Sequence, residues 1–267
     1  MFKFEKDRSY MMPFHFGPRP AGRGTGQYHD VTTMIVSYLT DRDILTQYLP
    51  KPFEVGEEPI VSVSYSMNKE IDWLAGHSYN IIGVNASVVF NGEEDHLSGN
   101  YPLVLWENLT DPILTGREIE GIPKVYADIP DHSIIEGEWR ASASHFGHKI
   151  VDLTIKALHP LTKEQIEEMR KAAEKSHWMG WKYIPKIGEP RAAVSHATLF
   201  PTAGVTTEAW VGKGEVKWQH LTWEQNPTQF HIVNALAELP IIEYRIALVL
   251  KGSSNLALAV KPKRVIR

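Results

Sequence analysis

Short strand-like segments separated by turn residues fill most of this 267-residue chain. Ile60–Met67 alternates apolar and polar residues, which is typical of a half-buried strand. Tyr79–Phe90 is rich in Ile and Val and runs into Asn91-Gly92, a hairpin signal. The other segments of this kind are Tyr101–Glu107, Val125–Ile129, Ser133–Ser142, Lys149–Ala157, Arg191–Phe200, Thr207–Trp218, Glu243–Leu250 and Leu256–Val260. So many short strands with turns between them predict a sheet sandwich or barrel.

Three segments predict helices. Asp41–Tyr48 begins with an aspartate in a capping position and is followed by a proline that ends it. Thr162–Ser176 begins with a capping box that includes Gln165 and carries few apolar residues, so we expect it at the surface. Gln229–Leu239 ends at a proline. No internal repeat or linker divides the chain. The sequence therefore predicts one α+β, mainly β domain over residues 1–267, with a few peripheral helices.

The composition excludes several classes of protein. The formal net charge is −4 and basic residues are scattered, which gives no indication of nucleic-acid binding. Basic residues cluster only in Lys261–Arg267, which we expect to be a solvated tail. The chain has no cysteine, which excludes disulfides and thiolate chemistry. No run approaches the roughly 20 apolar residues that span a membrane, and the N-terminus lacks an apolar signal core. We therefore expect a cytoplasmic protein without membrane partners.

Twelve histidines raise the question of a bound metal. His145 and His148 lie close together, but the glycine between them favours a turn between strands. Two nitrogen ligands are also too few for a closed, four-coordinate zinc site. We therefore expect turn histidines and no metal. A serine hydrolase is not indicated either, because the sequence has no Gly-x-Ser-x-Gly motif.

Lys124 is the residue best suited to covalent chemistry. It ends the segment Gly-Arg-Glu-Ile-Glu-Gly-Ile-Pro-Lys (residues 116–124) and is flanked by Pro123 and Val125. A free lysine has a pKa of about 10.4, and burial in apolar surroundings lowers that pKa and favours a neutral amine. Such an amine attacks a ketone and forms a Schiff base. The alternative is a lysine at a strand end whose amine reaches solvent.

This segment resembles the signature of the acetoacetate decarboxylase superfamily, in which Gly-Arg-Glu, a short spacer and Pro-Lys end on a lysine that forms a Schiff base. Other landmarks of that family occur in the same order along most of the chain, namely Tyr28–Asp30, Thr40–Asp41, Leu49–Pro52, Glu58–Val61, Phe90–Gly92, Glu208–Gly212, Leu239–Pro240 and Glu243. The resemblance implies a central, partly closed antiparallel β-barrel with Lys124 pointing into its cavity. It also implies a homo-oligomer, which we expect to be a tetramer, and no metal or organic cofactor.

The chain departs from the decarboxylases at four positions. Val125 stands where they have a second lysine, and Val31 stands where they have an arginine after the Tyr-His landmark. Two glutamates that lie near the lysine in the decarboxylases fall on Ser64 and Ile81. The resemblance then implies a more apolar pocket in which desolvation keeps Lys124 neutral. It also implies the loss of groups that position the carboxylate of a β-keto acid.

Relatives with such altered pockets resemble aldolase-dehydratases, which condense pyruvate or another 2-oxo acid with an aldehyde. We therefore expect a lyase of this type. Two alternatives stay open: decarboxylation of acetoacetate or a larger β-keto acid, and a barrel that binds a keto ligand next to an inert lysine.

Aldol chemistry of this kind needs a proton shuttle and a group that holds the carboxylate. Arg117 is the candidate carboxylate clamp, or alternatively a structural ion-pair partner of Glu118. Tyr79 and Tyr244 are candidate shuttles, with Glu107 and Glu118 as alternative acids. The expected catalytic residues are Lys124, Tyr244 and Glu118, and the expected substrate-binding residues are Arg117, Tyr79 and Glu107.

Overall fold

Strands make up most of the chain, which this computed structural model describes over residues 3–18, 26–200, 204–255 and 264–267. Within these residues the strands are β1 (Gln27–Leu39), β2 (Phe53–Val55), β3 (Ile60–Ile71), β4 (Tyr79–Asn91), β5 (His96–Glu107), β6 (Lys124–Tyr126), β7 (Ser133–Ile135), β8 (Glu138–His145), β9 (His148–Pro160), β10 (His177–Pro185), β11 (Ala192–Phe200), β12 (Gly204–Trp218), β13 (Glu243–Asn255) and β14 (Arg264–Val265). The α-helices are α1 (Arg42–Thr46), α2 (Thr110–Thr115), α3 (Lys163–Lys175) and α4 (Phe230–Glu238). Short 3₁₀ turns occupy Phe14–Phe16 and Asp72–Leu74, and a π-helical turn occupies Gly116–Glu120.

The strands of the described residues belong to one sheet. Its order is β14-β11-β10-β5-β4-β3-β1-β13-β12-β9-β8-β7, with β2 paired to β4 and β6 paired to β5 outside this path. Neighbouring strands are antiparallel, except that β5 pairs in parallel with β6 and with β10. The predicted mainly β fold with peripheral helices is confirmed. The sheet is mixed, and over the described residues its end strands do not pair, so the expected barrel is not closed.

The central strands bury one face against the main hydrophobic core. Successive strand residues point to opposite faces, so every second residue of a central strand points into this core. Tyr65 of β3 and Val84 of β4 are examples, and neither has exposed surface. The opposite face of β4 carries a smaller cluster around Tyr79. Ile82 packs in the main core and Ile81 in the small cluster, as the period of two requires. The candidate site lies on the face of the small cluster.

The predicted helix caps are present. The Asp41 carboxylate accepts a hydrogen bond from the backbone N–H of Ile44 at 2.9 Å. Thr162 and Gln165 form the capping box at the start of α3. No residue of α3 is fully buried, so this helix lies at the surface as the sequence predicted. Within the described part of the chain, none of the helices is long and apolar enough to cross a membrane.

The C-terminal residues contradict the expected solvated tail. β14 pairs with β11, and Ile266 is buried in the main core. The Arg264 guanidinium pairs with Asp95 and lowers the pKa of that carboxyl to about 2. The Arg267 carbonyl accepts a hydrogen bond from the backbone N–H of Asp95 at 2.8 Å. Apolar burial and ion pairing thus hold these residues on the sheet. The predicted strand Leu256–Val260 and the first residues of the tail lie outside the described residues.

Candidate active site

A short connection carries the chain from β5 back to its parallel neighbour β6. It contains α2 and the π-helical turn, which ends at Gly121 with a left-handed φ of 79°. A methyl group on Gly121 would lie 2.4 Å from Cβ of Lys182, so the turn packs directly against β10. The register then sets Lys124 opposite Leu105. The connection therefore returns Lys124 to the end of β5.

Lys124 and Glu107 form a buried ion pair at this place. Lys124 is 8% exposed, and Glu107 is fully buried. The Lys124 amine lies 2.8 Å from Oε1 of Glu107 and donates a hydrogen bond to the Pro112 carbonyl at 3.1 Å. The contact with Glu107 lacks hydrogen-bond geometry and is an ion pair. Oε2 of Glu107 has no hydrogen-bond partner among the described residues.

Burial is the main influence on the Glu107 carboxyl. It raises the pKa of Glu107, because the charged form loses its hydration. The charge and contact of Lys124 oppose this rise, and the negative charge of Glu120 adds to it. A carboxylate with a raised pKa is a stronger base than an exposed one. The pair therefore joins a nucleophile to a base that is in contact with it.

The surroundings of the amine are more polar than the sequence predicted. We expected a more apolar pocket, with Glu107 as a substrate-binding residue or alternative acid, whereas the Glu107 carboxylate lies directly against the Lys124 amine. Val125 packs against the main core, on the opposite sheet face from Lys124, since successive strand residues alternate in direction. A second lysine at position 125 would point away from the amine. Its absence therefore does not determine the charge around Lys124, and that part of the sequence interpretation is wrong.

A small aromatic cluster borders the ion pair. The hydroxyl of Tyr79 lies 3.2 Å from that of Tyr28, which accepts a hydrogen bond from Trp73 Nε1, also at 3.2 Å. Burial raises the pKa of Tyr79 well above its ordinary value, and the nearby acidic groups of Tyr28 and Glu107 add to that rise. Tyr79 therefore keeps its proton at neutral pH and can serve as a hydrogen-bond donor.

Three of the four positions that depart from the decarboxylases lie on the sheet face of Lys124. Ile81 is directly opposite Glu107 in the β4–β5 register. Val31 packs in the same small cluster as Ile81. Ser64 lies in the same transverse row of the sheet as Lys124. Directly paired residues share a face. These three neutral side chains therefore stand on the same face as the ion pair.

The π-helical turn places its charged residues differently from our expectation. Nη1 of Arg117 donates a hydrogen bond to the Lys124 carbonyl at 2.8 Å, so the guanidinium braces the turn against β6. Glu118 is partly exposed, and it is Glu107 that meets the amine. Sequence reasoning missed Glu120, whose negative charge acts together with burial to raise the pKa of Glu107. The turn thus contributes electrostatically through Glu120 and structurally through Arg117.

Tyr244 lies apart from the ion pair. It is on β13, opposite Tyr38 of β1, and β1, β3 and β4 separate β13 from β5. Its hydroxyl accepts a hydrogen bond from the Val216 N–H at 3.1 Å and donates one to the Val216 carbonyl at 3.3 Å. Tyr244 therefore joins β13 to β12, and the structure does not bring it together with Lys124.

Metal-binding side chains do not converge in the part of the chain that the structure describes, where no three His, Asp or Glu residues are placed to share an ion. His145 and His148 face each other across the β8–β9 turn, so the predicted turn is confirmed. The Nδ1 atom of His145 lies 3.2 Å from the side-chain oxygen of Asn226.

The sequence and the mixed sheet of this chain match a known class of proteins. Residues 11–251 match the family model described as acetoacetate decarboxylase, and the chain belongs to that family. Acetoacetate decarboxylase of Burkholderia multivorans is 24% identical over 246 residues, which is 89% of this chain and 87% of the relative. That of Chromobacterium violaceum is 26% identical over 251 residues, with the same coverage of 89% and 87%. These relatives are named as decarboxylases, so they do not confirm the expected aldolase-dehydratase branch.

Two solved structures are similar in fold. Acetoacetate decarboxylase of Legionella pneumophila has a TM-score of 0.72 at 20% identity and covers 93% of this chain and 92% of its own. The enduracididine biosynthesis enzyme MppR, complexed with the condensation product of pyruvate and imidazole 4-carboxaldehyde, has a TM-score of 0.71 at 13% identity. That likeness covers 99% of this chain and 97% of MppR. At these identities the similarity concerns the fold alone.

Proposed function

We propose that this protein is a Schiff-base-forming lyase for small keto acids, with Lys124 as nucleophile and Glu107 as base. The contact between their buried side chains carries the proposal. An amine must lose a proton before it attacks a carbonyl carbon, and a carboxylate with a raised pKa is suited to accept that proton. That proton and one of the two that remain on the amine leave with the carbonyl oxygen as water, which produces an iminium on Lys124.

The preferred reaction is aldol condensation and dehydration of pyruvate or another 2-oxo acid with an aldehyde. Glu107 removes a proton from the carbon beside the iminium, and the electron pair forms an enamine. The enamine carbon bonds to the aldehyde carbon, and Tyr79 donates a proton to the aldehyde oxygen. Tyr79 then takes back a proton from the carbon between the iminium and the new hydroxyl group, and the protonated Glu107 donates its proton to that hydroxyl, which leaves as water. A carbon–carbon double bond forms, and hydrolysis of the iminium releases the product. Tyr79 suits this role because burial raises the pKa of its hydroxyl and keeps it protonated.

Two observations favour this reaction. The positions of Val31 and Ile81, where decarboxylases carry an arginine and a glutamate, are neutral here and lie on the face of the ion pair. A protein of the same fold, MppR, is known in complex with a condensation product of pyruvate. The carboxylate of the 2-oxo acid is proposed to meet Arg117, whose guanidinium has N–H donors beyond the one bound to Lys124. Tyr244 and Glu118 have no part in this scheme.

The second candidate is decarboxylation of acetoacetate or a larger β-keto acid, which the names of the curated relatives favour. Here the bond to the carboxyl carbon breaks, carbon dioxide leaves, and its electron pair passes to the iminium. Protonation of the resulting enamine and hydrolysis then give the ketone. The first step on Lys124 is the same in both reactions.

Trapping with borohydride tests the shared first step. The protein is incubated with pyruvate or acetoacetate, reduced and weighed by mass spectrometry, and an adduct on Lys124 is the expected result. The absence of an adduct with both compounds would exclude both reactions and leave a protein that only binds a ligand. Release of carbon dioxide from acetoacetate, without a new carbon–carbon bond from pyruvate and an aldehyde, would replace the preferred reaction with the second.

The expected tetramer stays a prediction that light scattering measures, and the single domain and cytoplasmic location stay predictions too.

Changing Tyr79 separates proton donation from adduct formation. We expect Tyr79→Phe to lower turnover about 10²-fold, which is within the range for loss of a general acid. The trapped adduct with pyruvate should form at a nearly unchanged rate, because Lys124 and Glu107 remain. Tyr28→Phe is the matched control, since it removes the neighbouring hydroxyl of the same hydrogen-bonded pair and should have a smaller effect. Turnover of Tyr79→Phe at the wild-type rate would contradict the role of this tyrosine.

A further inference from the structure

The Lys124 side chain reaches Glu107 by passing across Gly116, the first residue of the π-helical turn. A methyl group built on Gly116 would lie 2.6 Å from both Cδ and Cε of Lys124 and 2.9 Å from its Nζ. Ordinary van der Waals contacts between such atoms are 3.4–4 Å. The lysine chain therefore occupies the space that any side chain at position 116 needs.

The backbone gives no other reason for a glycine at this position. Gly116 has φ −65° and ψ −39°, a right-handed helical conformation that every L-residue adopts readily. Glycine is also unfavourable in a helical segment by about 1 kcal/mol relative to alanine. Gly121, at the end of the same turn, differs because its φ is positive. The requirement at position 116 is therefore one of space.

Hydrogen bonds hold the turn against the lysine, so the turn cannot move away from a new side chain. The Gly116 N–H bonds to the carbonyls of Ile113 and Pro112, and its own carbonyl accepts from the Ile122 N–H at 3.0 Å. The Pro112 carbonyl also accepts from the Lys124 amine at 3.1 Å. The same short segment thus positions both Gly116 and the end of the lysine.

The lysine can move only by giving up its partners. Its amine contacts the Pro112 carbonyl on one side and the fully buried Glu107 on the other. A shift of about 1 Å would restore an ordinary contact with a methyl group. It would also lengthen the contact with Pro112 or with Glu107 beyond hydrogen-bond distance. The end of a lysine chain is flexible, so the fold accommodates the shift while the amine changes place.

We propose that Gly116 is a positioning residue that sets the place of the Lys124 amine against Glu107. This inference rests on the proposed function for its consequence in catalysis, but the placement of the amine can be measured separately. Because position 116 has no side chain, the amine can contact Glu107 and reach the carbonyl carbon of a bound keto acid without moving.

Gly116→Ala tests the proposal, with Gly204→Ala as the matched control. Among the described residues, the nearest neighbour of a methyl group on Gly204 is the Ser253 carbonyl, 4.0 Å away, so this change makes no close contact with them. We expect Gly116→Ala to slow borohydride-trapped adduct formation with pyruvate at least tenfold, with the thermal midpoint near that of the wild type. Gly204→Ala should form the adduct at the wild-type rate. Adduct formation by Gly116→Ala at the wild-type rate would overturn the proposal, and so would failure of this variant to fold.

A second measurement does not depend on catalysis. In protein labelled with ¹³Cε-lysine, the Lys124 resonance is identified by its loss in Lys124→Met. Gly116→Ala should shift this resonance and leave those of the exposed lysines in place, whereas Gly204→Ala should leave it unchanged. If the wild type forms no adduct with any keto acid, the proposed function fails while this shift still supports the positioning role. An unmoved Lys124 resonance in a folded Gly116→Ala protein overturns that role.

Discussion

Lys124→Cys is expected to lower adduct formation by more than about 10³-fold, and alkylation of the new thiol with 2-bromoethylamine is expected to restore it. The substitution removes the amine that attacks the keto carbon. Alkylation rebuilds a side chain of lysine's length, with sulfur in place of one methylene group. The natural chain has no cysteine, so the introduced thiol is the one site that the reagent modifies by this route. Borohydride trapping with pyruvate, followed by mass spectrometry of the intact protein, measures loss and recovery.

Lys213→Cys is the control for the alkylation chemistry. Lys213 is exposed on β12, so its replacement and modification should leave the rate unchanged. Two results would count against the role of Lys124: an adduct that persists in Lys124→Cys before alkylation, or no recovery after complete alkylation of a folded protein. The second result would mean that an amine restored at position 124 is not sufficient for adduct formation.

The same variant changes how stability depends on pH. Removing one partner of a buried ion pair costs about 3–5 kcal/mol when the other charge stays buried. The folded-state pKa of Glu107 is raised, so its protonated form favours the folded state at low pH, and that stability is lost as the pH rises through the folded pKa. Without Lys124 the pKa rises further, since both effects that lower it are gone. In urea unfolding, the free-energy gap to the wild type should therefore widen from pH 5 to pH 8, and alkylation should narrow it.

Local sequence patterns predicted those parts of the fold that local forces determine. The alternation in Ile60–Met67 and the hairpin signal after Tyr79–Phe90 correspond to β3 and β4. The caps at Asp41 and Thr162 depend on residues within the same turn, and both were found. β1 was not predicted, although its residues after Asp30 include Thr32, Ile35 and Val36, which are typical of a strand. It pairs with β3 on one side and with β13 on the other.

The candidate site was predicted only in part, because non-local pairing assembles it. The motif indicated Lys124 from its immediate neighbours. It also favoured Glu118, which is close in sequence, whereas the parallel pairing of β5 with β6 brings Glu107 to the amine. Tyr244 was a plausible shuttle by residue type, but its strand lies across the sheet. Val125 was expected to change the charge around Lys124, and that prediction is wrong for a simpler reason. Side chains alternate along a strand, so residue 125 points to the other face of the sheet.

Glu107→Gln is expected to slow adduct formation about 10²–10³-fold, since it keeps the shape of the side chain and removes the base. In the wild type, the rate should fall on the acid side as Glu107 becomes protonated. Because burial raises the pKa of Glu107, this fall should lie at a higher pH than for an exposed glutamate. The rate of Glu107→Gln should lose that acid limb. Single-turnover trapping with pyruvate from pH 5 to pH 9 measures both effects.

Glu118→Gln is the matched control for this change, because it makes the same substitution at the acid that sequence proximity favoured. Glu118 is partly exposed on the π-helical turn, and the amine meets Glu107 instead, so we expect a rate and a pH profile close to those of the wild type. If Glu118→Gln lost the acid limb while Glu107→Gln kept it, the base would be Glu118. The buried pair would then serve only to hold Lys124 in the sheet. If both variants kept the limb, the amine would lose its proton to solvent or substrate. Charge pairing at Glu107 would then be a matter of stability, which the urea measurements on Lys124→Cys report independently.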